Sequence, residues 1–297
     1  MAGPLQAIGF VLLFASLSLL LPLLGLFSNA AIGLVTLRLG WQRGLFIATI
    51  SSIILAGISL FTNGDALTDF ALSMLNWLPM ILLATLLGST VSWKRTLTTL
   101  LAVAAVGIVL FHVSVDDPVK FWQSQPIWDQ YLDLIQALQL IPDSMPTANR
   151  EQILAQIAET MTSSLAITAL LVLLISLIIA RFWQSKLYNP GGFQREWHTL
   201  NLGKEPALAM MVIVGLALFS DQGWSTDLVL TGLAIFLFQG LALAHGLINQ
   251  HQGNRRWLIA MYVLLALIPF YTSILLAAFG IIDGVANFRS LNKANEI

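Results

Sequence analysis

The sequence contains no cysteine, which excludes disulfides, thiolate metal sites and cysteine nucleophiles. Charge is scarce too: 10% of the 297 residues are Asp, Glu, Lys or Arg, against about a quarter in ordinary soluble domains. Such a chain cannot cover a water-facing surface. With 57% hydrophobic residues and a mean hydropathy of +0.82, it reads as an integral membrane protein. Catalytic strings are missing as well. There is no G-x-S-x-G, no H-E-x-x-H and no G-x-x-x-x-G-K-[ST]. The four histidines are scattered, and the six-residue separation of His245 and His251 does not match ligand spacing on one helix face. No enzyme activity, cofactor, metal or nucleic-acid partner is expected. No Lys or Arg precedes Arg38, so the opening lacks the basic region of a cleaved signal and reads as a retained membrane segment.

What is present is hydrocarbon. Six stretches, near 44–62, 72–90, 96–114, 163–183, 206–220 and 227–247, are apolar enough to cross a layer that needs about 20 residues per helix. Two longer stretches, 6–37 and 257–287, carry Pro22 and Pro269 near their middles. Each would be about 45 Å long as one helix. Each is therefore either one strongly tilted helix or two short helices meeting at the proline. The expected fold is all-α: a polytopic transmembrane bundle of eight to ten spans, a single membrane domain over 1–297.

Charge orients the bundle. Of the 14 basic residues, all but Lys120 and Arg150 gather in alternate connections, at Arg38 and Arg43, Lys94 and Arg95, Arg181 to Lys204, Arg255 and Arg256, and Arg289 and Lys293. The intervening connections are acidic, holding Asp65, Asp69, Asp116, Asp117, Asp129, Asp133, Asp143, Glu151, Glu159, Asp221 and Asp227. Cationic loops stay in the cytoplasm, so the basic set and the C-terminus are placed inside, which requires 257–287 to turn back. The largest connection, 115–162, is expected to be an amphipathic cap outside the membrane. In it Trp128, Leu132, Ile135 and Leu138 share one helical face, and Ile153, Ile157 and Met161 share another. It could pack as a plain hairpin or act as a lid.

Polar residues within the spans are few: Asn76, Gln239, His245 and Asp283. Asn76, Trp77 and Gln239 are the expected lining of a solute pocket, ionisable or polar groups at depth being functional candidates by default. The plainer reading of Asn76 and Gln239 is interhelical hydrogen bonding, worth about 0.6 to 2 kcal/mol each. No series of carboxylates crosses the membrane, which speaks against a proton-driven pump. An intramembrane enzyme would need a second ionisable group beside Asp283.

One connection, 184–205, is unlike the rest. It contains Tyr188, Asn189, Pro190, Gly191, Gly192 and Phe193, a turn signal, followed by Arg195 and Trp197 in a short amphipathic segment. Phe193, Trp197 and Leu200 fall on one face, with Arg195, Glu196 and His198 on the other. This cytoplasmic elbow suits the interface of an anionic leaflet, and its tight turn suggests a surface for lipid or a partner protein. The string "ARFWQSKLYNPGGFQREWHTLNL", with "FGIIDGVANFRS" and "AAIGLVTLRLGW", resembles the YybS-like family of predicted bacterial membrane proteins, in the form of Gram-negative members. The resemblance implies a multi-pass protein of the bacterial cytoplasmic (inner) membrane and assigns no activity. That family is distantly similar to the substrate-binding subunits of energy-coupling-factor transporters, which implies a helix bundle capturing a small molecule, although those subunits have about six spans. The expected function is a non-enzymatic transport component. The alternative is an inner-membrane scaffold or assembly factor docking partners through the elbow.

Overall fold

The computed structural model describes residues 3–61, 64–142, 145–220 and 223–289, and every regular element among them is a helix. Helices begin where a side chain or a proline disposes of the first backbone donors. Asp65 accepts from the Leu67 N–H at 3.0 Å and caps α4 (Ala66–Thr90). Ser92 caps α5 (Trp93–Ser114), and Asp117 caps α6 (Pro118–Gln123). The Thr68 hydroxyl and the Leu67 N–H hold the Asp65 carboxyl below its usual range. Part of the acidic series thus has a local task as helix caps.

Among the described residues, seven segments are long and apolar enough to cross a membrane. They are Pro22–Leu39, which contains α2 (Gly25–Leu39), then α3 (Trp41–Ser59), α4, α5, α9 (Met161–Tyr188), α12 (Gly223–Gln250) and α14 (Pro269–Ala286). Eight to ten were expected. The difference lies in three shorter helices: α1 (Pro4–Leu17), α11 (Lys204–Leu218) and α13 (Arg256–Leu267). The outer surface of the bundle is studded with exposed Leu, Ile, Val and Phe, the surface a bilayer requires.

Both long terminal stretches break at their prolines. Residues 18–24 separate α1 from α2, and Phe14 lies 5.2 Å from Phe27 while the Ser28 hydroxyl donates to the Val11 carbonyl at 3.2 Å. The two helices therefore run antiparallel. Ile268 alone separates α13 from α14, and Pro269 opens the second helix without an N–H. Tyr262 of α13 approaches His245, and Arg289 beyond α14 lies against Gly246. Both ends of this segment sit beside the same end of α12, so the chain reverses between them.

Contacts sort the helix ends into two sets. At one end, His112 of α5 meets Asp227 of α12, and Trp122 of α6 donates to Thr162 of α9 at 2.8 Å. At the other, Lys94 of α5 faces Glu205 of α11, and Gln184 of α9 donates to the Leu37 carbonyl of α2. The acidic connections fall at the first end and the basic ones at the second. Asp143, Asp221 and Lys293 lie outside the described residues. At the acidic end, α6, α7 (Pro126–Ala137) and α8 (Thr147–Glu159) pack with the start of α9 around a small core of Trp128, Ala158 and Met161. Ile135 joins Trp128 in being buried, whereas Leu138 is exposed.

The bundle has two halves. α2 sits at the centre of α1, α3, α4 and α9, while α12 is packed by α14, α9, α5 and α11. α9 belongs to both, so it is the spine that joins them.

Candidate functional site

The first half holds a layer of buried polar atoms at one depth. Asn29 of α2 is buried and its amide donates to the Asn76 side-chain oxygen of α4 at 3.3 Å. Trp77 follows and is 1% exposed, whereas Asn76 itself is exposed on the flank of the bundle. One turn further along the chain, Gly33 touches Met80 and Ala180. Stepping back one turn on each helix brings Asn29, Asn76 and Ser176 of α9 to a common level. Antiparallel to α2, α3 places Gly44 against Thr36, and two turns on it brings Ser51 and Ser52 to that level. Both serines are fully buried.

These atoms are largely unpaired. Among the described residues, the Asn29 side-chain oxygen, the Trp77 indole N–H and the hydroxyls of Ser51, Ser52 and Ser176 have no hydrogen-bond partner. Each such group costs about 1–3 kcal/mol when buried, and hydrocarbon offers no water to relieve it. The layer carries donors and acceptors but no ionisable group. It is suited to hold a neutral polar molecule.

Gln239 belongs elsewhere. It is fully buried on α12, its oxygen accepts from the Leu202 N–H at 3.1 Å, and its amide donates to Asp283 of α14 at 3.1 Å. The same Asp283 oxygen accepts from Asn201 at 3.0 Å and from the Arg289 guanidinium, and the other accepts from the Phe288 N–H. Arg289 also donates to the carbonyls of His198 and Leu200. Both carboxylate oxygens of Asp283 and both polar groups of the Gln239 amide have partners, so the clasp holds structure together. Asn76 and Trp77 thus share a site and Gln239 does not.

A third polar pair escaped the sequence reading. His112 Nε2 lies 2.8 Å from Asp227, and the aspartate side chain is only 3% exposed. Asp227 reads as one more acidic residue of a loop, yet α12 begins at Gly223 and carries it inside. The signal was available: "LFHVS" closes one span and "WSTDL" opens another at the same end.

The elbow is packed inward. Asn189 to Gly192 form a turn closed by Gly192 N–H to Asn189 C=O at 2.9 Å, with Gly191 at φ 81° and ψ −8°. Those are the angles that a type II turn demands of its third residue, where glycine alone is unstrained. Ser185 staples it, donating to the Asn189 carbonyl and accepting from the Phe193 N–H. The reversal folds α10 (Gly192–His198) back onto the bundle, where Phe193 and Trp197 pack with Trp93 at centroid distances of 6.4 and 6.3 Å. Glu196 also points inward, contrary to the face expected for it: it accepts from Trp93 Nε1 at 3.1 Å and Arg181 Nε at 3.0 Å. This packing explains the tightness of the Pro-Gly-Gly corner, which a merely anchored segment would not need. Burial holds the His198 imidazole below its usual pKa, and the charges of His245 and Arg289 add to the effect. Tyr188, Asn189, Pro190, Gly191 and Arg195 remain exposed. Glu196→Ala should destabilise the protein by about 1.5–3 kcal/mol, the usual worth of hydrogen bonds to charged groups, read as earlier thermal unfolding in detergent. An unchanged unfolding temperature would mean that the elbow is not held by this ion pair.

Residues 7–284 match the model of a family described as predicted membrane proteins, DUF2232. The chain belongs to that family. Its span covers nearly the whole chain, the Asn29 layer and the elbow included, and the YybS-like resemblance of the elbow motif fits it. No curated protein and no solved structure matches the chain, so the likeness to energy-coupling-factor subunits rests on the sequence resemblance alone.

Proposed function

We propose that this family member is a non-enzymatic transport component that holds a small neutral polar solute at the Asn29 layer. The observation that carries the reading is the set of buried unpaired atoms on Asn29, Ser51, Ser52, Trp77 and Ser176. A bound solute would satisfy them. A charged solute fits poorly, because a buried charge without a counter-ion is strongly unfavourable. Exposed Asn76, bonded to Asn29, marks the side from which the layer is reached. Gln239 is not part of this reading.

The protein is placed in the bacterial cytoplasmic membrane with its basic end inside, following the bias of cationic loops. The elbow at 184–205 then faces the cytoplasm, the 115–162 helices form an outer cap, and the C-terminus is cytoplasmic. The seven long segments cross the bilayer together with α1, α11 and α13, giving ten passes. α11 has to cross, because α9 ends at the basic end and α12 starts at the acidic one. At 15 residues it is about 22 Å long, which a locally thinned bilayer accommodates.

The test is a thermal-shift screen of the purified protein against neutral metabolites, vitamins and ions. A ligand at 100 times its Kd stabilises by about 2.7 kcal/mol, so at least one compound should raise the unfolding temperature by several degrees. Asn29→Leu should abolish that shift while leaving the empty protein as stable or more so, since it removes an unpaired polar group. No shift with any compound, and no co-purifying ligand, would overturn the proposal. The scaffold alternative draws support from the exposed turn and Arg195: a crosslinker at Arg195 capturing one defined protein in cells, with the screen silent, would favour it.

A further inference from the structure

At the basic end, α2 and α3 meet at a single residue. Gly40 adopts φ 87°, and this corner puts Arg38 in the last turn of α2 and Arg43 in the first turn of α3 in the lining of one cleft of about 410 Å³. Both arginines are exposed, and among the described residues neither lies within ion-pair distance of a carboxylate. The Arg38 guanidinium instead rests on the Tyr188 ring, 4.2 Å from its centroid. No side chain caps the start of α3, so the free amides of its first turn add to the positive potential at the Arg43 side. The rest of the lining includes hydrocarbon from Ala7 of α1 and from Phe46 and Ile47 of α3, one turn beyond Arg43 on the same helix face. Phe46 is half exposed on the flank of the bundle.

The cleft is therefore amphipathic, with a cationic rim and an apolar wall at the end of a transmembrane bundle. We propose that it binds the head of an anionic glycerophospholipid. The phosphate sits between Arg38 and Arg43, whose planar guanidinium forks match its oxygens. The acyl chains leave along Phe46 into the bilayer. Basic pockets between transmembrane helices recognise lipid phosphates in this way. A soluble phosphate would make no use of the apolar wall, which is why a lipid is the chosen occupant. The site is separate from the Asn29 layer and stands whether or not a solute binds there.

The test is native mass spectrometry of the full chain in detergent, titrated with phosphatidylglycerol and with zwitterionic phosphatidylethanolamine. The wild type should prefer phosphatidylglycerol by at least about tenfold, about 1.4 kcal/mol. In R38Q/R43Q the preference should fall close to unity. R255Q/R256Q removes an exposed basic pair at the same end and should leave it intact. Should the double variant fail to fold, Arg43→Gln, which removes an exposed side chain, should still cut the preference by a factor of about five, given about 1 kcal/mol per cation near an anionic surface. An unchanged preference in these variants overturns the proposal, and so does an equal loss in R255Q/R256Q, which would mean a diffuse basic face. Displacement of phosphatidylglycerol by millimolar inorganic phosphate would identify the ligand as a soluble anion and overturn the lipid assignment.

Discussion

Replacing Arg289 by alanine is expected to destabilise the protein by about 3–5 kcal/mol, the range for removing one partner of a buried ion pair. Asp283 is fully buried and three side chains converge on one of its oxygens: Arg289, Asn201 and Gln239. The two amides can accompany a carboxylate but cannot neutralise it. Arg289→Ala would also strip donors from the carbonyls of His198 and Leu200. Asp283→Asn should be milder, because the amide oxygen keeps two of the acceptor bonds and Arg289 keeps both carbonyls. The double variant D283N/R289A should be more stable than R289A alone, since it no longer buries an unpaired charge. Thermal unfolding in detergent, read by intrinsic tryptophan fluorescence, ranks the three. If R289A unfolds with the wild type, the Asp283 cluster does not hold the end of α14 to α12.

The second large effect is expected at Gly240. A methyl group there would come 1.9 Å from the Leu276 carbonyl oxygen, and at Gly280 one would come 2.4 Å from that of Phe236. The obstructing atoms are backbone, so no rotamer change can make room. Close approach at small residues is how helices associate in a medium that supplies no hydrophobic drive between them. Gly240→Ala should therefore cost at least about 3 kcal/mol, the upper part of the range for overpacking. Gly107→Ala is the matched control, since nothing lies within 4 Å of its added methyl. It should be neutral or stabilising by about 0.5–1 kcal/mol through helix propensity. Equal behaviour of the two variants would show that α12 and α14 do not approach as closely as described.

The membrane class, the two proline breaks, the division of charge between the ends and the Asn189–Gly192 turn were all legible in the sequence. Each is a local property: hydropathy over one span, a missing N–H, a loop composition, a turn chemistry. The Asn29 layer was not, because it is assembled from α2, α3, α4 and α9, and no pattern along the chain joins Asn29 to a residue 47 positions away. Asn76 and Trp77 drew notice because polar or interfacial residues inside a span stand out. Asn29 was hidden by its place in an ambiguous apolar stretch. Gln239 was legible as polar and buried, but whether such a group binds a solute or a neighbouring helix depends on who stands opposite. Here Asp283 and Leu202 do. Glu196 was assigned to the outer face of α10 because helical periodicity alone ignores Arg181, which draws the carboxylate in. Of the short helices, α11 was legible as the span at 206–220, and α1 and α13 as the shorter pieces of the two proline-bearing stretches.

The position of Arg289 has a consequence for biogenesis. It follows, in the chain, every element that it touches: the 198–200 stretch, Gly246 in the last turns of α12 and the end of α14. Synthesis delivers elements in order, and earlier ones settle first. Until the ribosome has passed this arginine, Asp283 has no cation, and the segment after α10 is held to the last helix through the Asn201 amide without it. Closure of the second half of the bundle is therefore a late event, completed by one of the last described residues of the chain.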